Sequence, residues 1–294
     1  MKVLVYGAGV LGSLYAIQLF EAGVDVTLVA RGDRFALIQE NGVLVAEGDD
    51  GLVRSVRVPV TDSPVGDWDL ILVLVRTHQI GAVLETLTGI TGDVLFLLNW
   101  AAGPGPLHEI LGHDRVLLGF PNQGGVMDGD VVRYRPASRV TRLVSMPIGE
   151  PDGQTTPRLE RIIEVFRNAG FVVKAEPQMD AWLRTHAAFE VPLSVAVHAA
   201  GGPDSLAGDR IAVRAMLQDM RQSLTAMPTP TVPGAFRLLH TLPEVLLIPV
   251  FRRFLRSSVA SPLRTDSPAV SGELATLAEQ LRSATHGRTA KRDS

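Results

Sequence analysis

Residues Lys2 to Arg31 constrain the fold more tightly than any other part of the chain. An apolar run, Val3-Leu4-Val5-Tyr6, leads straight into Gly7-Ala8-Gly9-Val10-Leu11-Gly12. A helix-like stretch continues to Ala22, and a second apolar run, Val26 to Ala30, ends in Arg31. The pattern predicts a strand, a glycine turn, a helix and a second strand. Gly7 permits the tight turn, Gly9 lets the backbone approach a pyrophosphate, and Gly12 lets the helix pack close to the sheet. Val10 and Leu11 open the helix, whose first N–H groups and partial positive charge suit phosphate. A strand-to-helix turn with no ligand also uses glycine. The flanking strand and amphipathic helix favour a dinucleotide site over that plainer reading.

The residue after the second strand selects the dinucleotide. An acidic residue there bonds the ribose hydroxyls and favours NAD or FAD. This chain has Arg31, with Arg34 close behind. A guanidinium fork fits a 2′-phosphate through charged, planar hydrogen bonds, so NADPH is the expected cofactor. The alternative for Arg31 is a solvated loop cation. The missing acidic residue also argues against a flavin.

Composition removes several classes. With 28 Lys+Arg against 31 Asp+Glu, no basic excess points to nucleic acid or a membrane surface. The absence of cysteine excludes thiolate catalysis, disulfides and zinc-thiolate sites, and no His/Asp/Glu spacing reads as a metal site. The apolar segment 238–255 contains Pro243, Glu244, Pro249, Arg252 and Arg253, which argue against a membrane span and for a core or dimer helix. The opening residues carry no charged-plus-apolar leader, so the cytoplasm is the expected location.

Runs at 69–75, 94–98 and 116–119 are almost wholly apolar, as in parallel strands covered on both faces. Helical segments at 79–90 and 104–112 separate them. Strands are expected within 43–60, within 124–149 with a hairpin centred on Asp128-Gly129-Asp130, and at 170–175. A helix is expected at 159–168. From about Asp180 the strand signals stop, and helices are expected at 180–200, 203–226, 235–256 and 266–284. The expected fold class is α/β: an N-terminal Rossmann-type doubly wound sheet followed by an all-α C-terminal domain. The boundary near Glu176-Pro177 gives an NADP-binding domain over 1–177 and a helical substrate or dimerisation domain over 178–294.

Several stretches resemble the ketopantoate reductase family. They are the glycine turn with Arg31, Val75-Arg76-Thr77-His78-Gln79, Leu98-Asn99, Met179-Asp180-Ala181-Trp182-Leu183-Arg184 and Pro192-Leu193. The resemblance implies NADPH-dependent reduction of a ketone or 2-keto acid, the namesake reaction converting ketopantoate to pantoate for pantothenate synthesis. It implies that Arg76 and Asn99, at successive strand ends, lie at the cofactor, with Asn99 beside the nicotinamide and the substrate. It implies that Glu273, following Ser257-Ser258, serves the substrate site. Asp266 and Ser267 are expected to cap the last helix.

The chain also departs from the family pattern. The family's proton-donating lysine, two residues after the tryptophan, is Arg184 here. Ala188 and Val191 stand near positions where the family has asparagine. Only Lys2, Lys174 and Lys291 are lysines, against 25 arginines, and none offers a substitute. Arginine keeps its proton at physiological pH, so Arg184 can bind a carboxylate or an oxyanion but is a poor acid. His186, the nearest conventional acid, lies about 200° around the helix from Arg184. Two readings follow: a reductase drawing its proton from water or a histidine, and an NADP(H)-binding sensor or partner protein that has lost catalysis. Trp182 is expected to anchor packing, and Phe120 to Gly125 to line a pocket or turn into the next strand.

Overall fold

The computed structural model describes residues 1–49, 51–134, 145–257, 260, 263 and 268–290. Packing divides the chain into two compact units, Met1–Leu98 with Pro104–Met179, and Asn99–Gly103 with Asp180–Ser294.

The first unit is built on β1 (Lys2–Tyr6), β2 (Asp25–Val29), β3 (Val43–Glu47), β4 (Arg54–Val56), β5 (Val60–Thr61), β6 (Asp67–Val73), β7 (Thr91–Leu97), β8 (Val116–Gly119), β9 (Gly125–Asp128), β10 (Val131–Tyr134), β11 (Met146–Gly149) and β12 (Val173–Ala175). Eight of these form one sheet in the order β12-β11-β8-β7-β6-β1-β2-β5. Every pairing is parallel except β11 with β8. The apolar runs read from the sequence are its central strands, and Val3, Leu4 and Val5 are wholly buried on both faces. Helices α1 (Val10–Glu21), α2 (Gly32–Asn41), α3 (Ile80–Leu87), α4 (Gly105–Leu111) and α5 (Pro157–Asn168) join the strands, α5 starting at Pro157 under a Thr156 cap.

β3, β4, β9 and β10 leave the main sheet and form a second one, β4-β3-β10-β9. Its centre is a parallel pairing of β3 with β10 between distant segments. The expected hairpin forms, with Val131 opposite Asp128. Residues 135–144 of the expected strand region lie outside the described residues.

The second unit is helical: α6 (Met179–Ala199), α7 (Pro203–Gly208), α8 (Arg210–Ala226), α9 (Leu238–Thr241), α10 (Glu244–Leu255) and α11 (Pro268–Ala290). Its core includes Ala187, Val213, Leu217, Met220, Leu255 and Leu277. Two of the long helices expected from the sequence are broken. The 203–226 stretch divides at Asp209, whose carboxylate accepts from the N–H groups of Ile211 and Ala212 and starts α8. The 235–256 stretch divides at Leu242-Pro243, because proline cannot supply the N–H that a continuous helix needs there. No helix among the described residues is long and apolar enough to cross a membrane. Ser258, Asp266 and Ser267 lie outside the described residues.

One polar staple crosses the first unit. Glu150 is 3% exposed and accepts from Arg158 Nε at 2.7 Å. Arg158 Nη1 reaches Asp93 at 2.9 Å, and the same guanidinium bonds the carbonyls of Asp114 and Val116. Hydrogen bonding to Glu150 raises the Arg158 pKa further above its usual range. Removing one partner of such a buried pair strands the other. Arg158→Met is expected to lower unfolding free energy by about 3–5 kcal/mol, read by urea denaturation. A loss below about 1 kcal/mol, the scale of a surface pair, would contradict a buried role.

Candidate functional site

The glycine turn begins where β1 ends. Gly7 has φ +114°, and a Cβ there would stand 2.6 Å from the Leu74 carbonyl oxygen. A Cβ on Gly12 would stand 1.7 Å from the Gly7 carbonyl oxygen, so no side chain fits without opening the turn. Gly9 differs from both. A Cβ there meets no heavy atom within 4 Å, so no neighbour in the chain demands glycine. The space beside its backbone is open, which leaves room for a ligand to approach closely. Gly9 caps α1 without a side-chain hydrogen bond, and the first turn, Val10-Leu11-Gly12, carries no acidic residue. The donor set therefore fits a phosphate group.

Arg31 caps α2 immediately after β2. Its Nη2 donates to the Tyr6 hydroxyl and, at 3.1 Å, to Thr86 Oγ1. The guanidinium carbon lies 5.6 Å from the Tyr6 ring centroid. The side chain is exposed but held, which keeps a cation at the carboxyl ends of β1 and β2. Arg34 serves a different purpose. Its Nε bonds the Ala8 carbonyl at 3.2 Å and its Nη1 the Asp130 carbonyl at 3.0 Å, tying the glycine turn to the β9–β10 hairpin. Arg76 follows β6, and its backbone N–H donates to Gln79 Oε1 at 3.1 Å, starting the short turn Thr77–Gln79. Phe120 to Gly125 is tied down: Tyr15 receives the Asn122 N–H at 3.3 Å, and Gln123 donates to Gln18.

The second unit gathers the other expected residues around one loop, Asn99–Gly103. Asn99 Nδ2 donates to Glu273 Oε1 at 3.4 Å. The Ala101 N–H donates to Gln280 Oε1 at 2.8 Å, and Trp100 Nε1 to the Gly103 carbonyl at 2.7 Å. Gly103 has φ +79°, and a Cβ there would stand 2.3 Å from Arg184 Nη2. The loop thus touches Glu273 at one end and Arg184 at the other. Arg184 Nε is paired with Asp180 at 2.9 Å, one helical turn back.

Sequence reading missed a polar stripe on α6. Trp182, His186, Glu190 and Ser194 recur every fourth position, the spacing of one helix face. The Trp182 and His186 rings stack with centroids 5.3 Å apart and planes within 9°. His186 Nε2 lies 3.6 Å from Glu190 Oε2, and Ser194 Oγ donates to Glu190 Oε1 at 3.4 Å. Burial pulls His186 down from an ordinary 6.5 to about 4, which leaves the imidazole neutral at physiological pH. Burial and then the neighbouring Glu273 charge raise Glu190, while the Ser194 hydrogen bond opposes them.

Residues 3–143 match the family described as ketopantoate reductase PanE/ApbA. Through this segment the chain is similar to the ketopantoate reductase family. It is 24% identical over 211 residues to a 2-dehydropantoate 2-reductase of Mesorhizobium japonicum, covering 63% of each chain. To the enzyme of that name from Archaeoglobus fulgidus it is 30% identical over 178 residues, covering 59% of this chain and 55% of the relative. The chain therefore spans less than two thirds of the length of the curated relatives it matches. Among solved structures, a ketopantoate reductase from Ralstonia solanacearum, titled as putative, superposes with TM-score 0.70 at 17% identity, covering 96% of this chain and 98% of that one. D-mandelate dehydrogenase with NADH and anilino(oxo)acetate superposes with TM-score 0.65 at 14% identity, covering 98% and 99%. These likenesses show the shared fold.

The two perturbed groups on α6 push stability in opposite directions. As pH falls from about 6.5 to about 4, the unfolded chain takes up a proton that folded His186 refuses, so stability falls. Folded Glu190 holds its proton longer than the unfolded chain does. Its contribution is present at acid pH and is lost as pH rises through its raised value. His186→Phe keeps a ring beside Trp182 and is expected to reduce the acid-side loss by up to about 3 kcal/mol. Urea denaturation at pH 7 and pH 4.5 reads the difference. An unchanged difference between the two would mean that His186 titrates normally.

Proposed function

We propose that the chain is an NADPH-dependent reductase of a ketone or 2-keto acid, with the family reaction, ketopantoate to pantoate, as the first substrate to try. The observation that carries this reading is the loop Asn99–Gly103, which touches Glu273 at one end and Arg184 at the other. The glycine turn would hold the pyrophosphate through the N-terminus of α1, and Arg31 the 2′-phosphate. A bound nicotinamide supplies the hydride. Arg76 and Asn99, each just past a strand's carboxyl end, stand where this sheet class binds its ligands. Asn99 would orient the nicotinamide and the substrate, and Glu273 would accept from a substrate hydroxyl. Arg184, a guanidinium, would hold a substrate carboxylate or the developing oxyanion.

A second reading is supported by the Arg184–Asp180 pair. An arginine already paired in place of the family lysine fits an NADP(H)-binding sensor that has lost catalysis. Purified protein mixed with NADPH and ketopantoate, then with a panel of 2-keto acids, separates the two through loss of nicotinamide absorbance. Turnover supports the reductase, and tight NADPH binding without turnover on any of them supports the sensor. Arg184→Lys is expected to raise turnover of ketopantoate if that is the substrate, because it restores a titratable donor.

Arg31→Ala is expected to weaken NADPH binding roughly tenfold to hundredfold, the scale of lost charge-assisted hydrogen bonds, and to leave NADH nearly unchanged. Titration of nicotinamide fluorescence measures both. Equal weakening of the two cofactors would remove Arg31 from the 2′-phosphate.

A further inference from the structure

A ketone reduced by hydride needs a proton on its oxygen, and several ordinary donors among the described residues are poorly suited to give it. Arg184 is paired with Asp180, and a guanidinium is a poor proton donor. His186 is neutral at physiological pH and has no acidic proton to give. Lys2 begins β1, at the end of the sheet opposite the glycine turn, and Lys174 is paired with Glu176.

Glu190 has the position that these groups lack. It stands on α6 close enough to Glu273 of α11 to feel its charge, and Glu273 accepts from Asn99, the residue two past the end of β7. His186 and Ser194 hold it from the same face of α6. Its side chain keeps 28% of its exposure, so a small molecule can reach it. From the stripe on α6, the carboxylate beside it and the asparagine beyond, we propose that Glu190 donates the proton to the substrate oxygen, the role of the family's lysine. This assignment rests on the reductase reading above.

The chemistry is balanced. As the carbonyl carbon gains hydride, its π pair moves to oxygen. The Glu190 O–H bond breaks and an O–H bond forms on the substrate, giving the alcohol. The Glu190 carboxylate takes a proton from solvent before the next turnover. The charged and titratable groups facing Glu190 are Glu273 from α11 and His186 from its own helix. Two carboxylates close together do not both ionise readily, so one stays protonated and serves as an acid. Glu190 is the member whose burial favours the neutral form.

Glu190→Gln keeps the shape and hydrogen bonding but has no acidic proton. It is expected to lower kcat by about 100-fold or more while NADPH binding stays within about threefold. In the unaltered chain kcat/KM is expected to fall as pH rises through the Glu190 value, because the protonated form is the active one. Glu190→Asp is expected to recover part of kcat with the same direction of pH dependence. A readout independent of turnover is the infrared band of a protonated carboxyl, followed across a pH titration. In the unaltered chain it is expected to persist to higher pH than an ordinary glutamate's. That component is expected to be lost in Glu190→Gln and to vanish at lower pH in Glu273→Gln. An active chain whose Glu190→Gln variant keeps its kcat overturns the assignment and leaves the reductase reading standing. So does an active chain whose Glu190 carboxyl band disappears at the pH of an ordinary glutamate. A chain that binds NADPH and reduces no 2-keto acid overturns the reductase reading, and the assignment falls with it.

Discussion

The contact between Gly12 and the Gly7 carbonyl governs the geometry of the first unit. With a Cβ position only 1.7 Å from that oxygen, α1 lies as close to the end of β1 as backbone chemistry allows. That closeness aims the first N–H groups of α1 into the space beyond the turn. It also fixes the return of the chain into β2, and hence the place of Arg31. Tyr6 belongs to the same arrangement: it ends β1 and its hydroxyl accepts from Arg31. The geometry of the glycine turn and the cation beside it are thus consequences of one close approach.

Arginine does work here that lysine could not. Arg115 alone bonds the carbonyls of Leu87, Ile90 and Gly92, gathering the link from α3 into β7 around one planar group. Arg221 bonds the carbonyls of Leu239 and Leu242 and secures the break before α10. Arg252 bonds the Ala207 carbonyl at the end of α7. A point charge on a flexible stem cannot replace a fork of five fixed donors at such sites. Arginine is therefore structural at these three positions.

Where the fold follows from local patterns, the sequence displays it. The strand, glycine turn, helix and strand over Lys2 to Val29 need only their own residues, as do the buried runs of β6, β7 and β8. The second sheet was hidden because β3 and β10 pair across a long stretch of chain, with no turn chemistry between them to announce it. The breaks at Asp209 and Pro243 were written in capping and proline chemistry but were masked by apolar periodicity running through them. At the candidate site, Asn99 and Glu273 were singled out separately, yet 174 positions of chain separate them, and only folding brings them within 3.4 Å. Glu190 carried a local signal, the four-residue spacing from Trp182 to Ser194. That spacing marks a helix face but not what the face meets, because Glu273 lies far along the chain on α11.

The Arg158 staple sits at the beginnings of β7 and β8, while the glycine turn and Arg31 sit at the carboxyl ends of β1 and β2. In a parallel sheet those are opposite rims. The buried staple and the glycine turn are consequently separate. A lineage built this way has room to drift: residues on the glycine-turn rim can be exchanged while the staple on the opposite rim stays in place. Evolvability of this kind is a property of where the staple lies, and it is compatible with a chain so divergent from relatives whose architecture it retains.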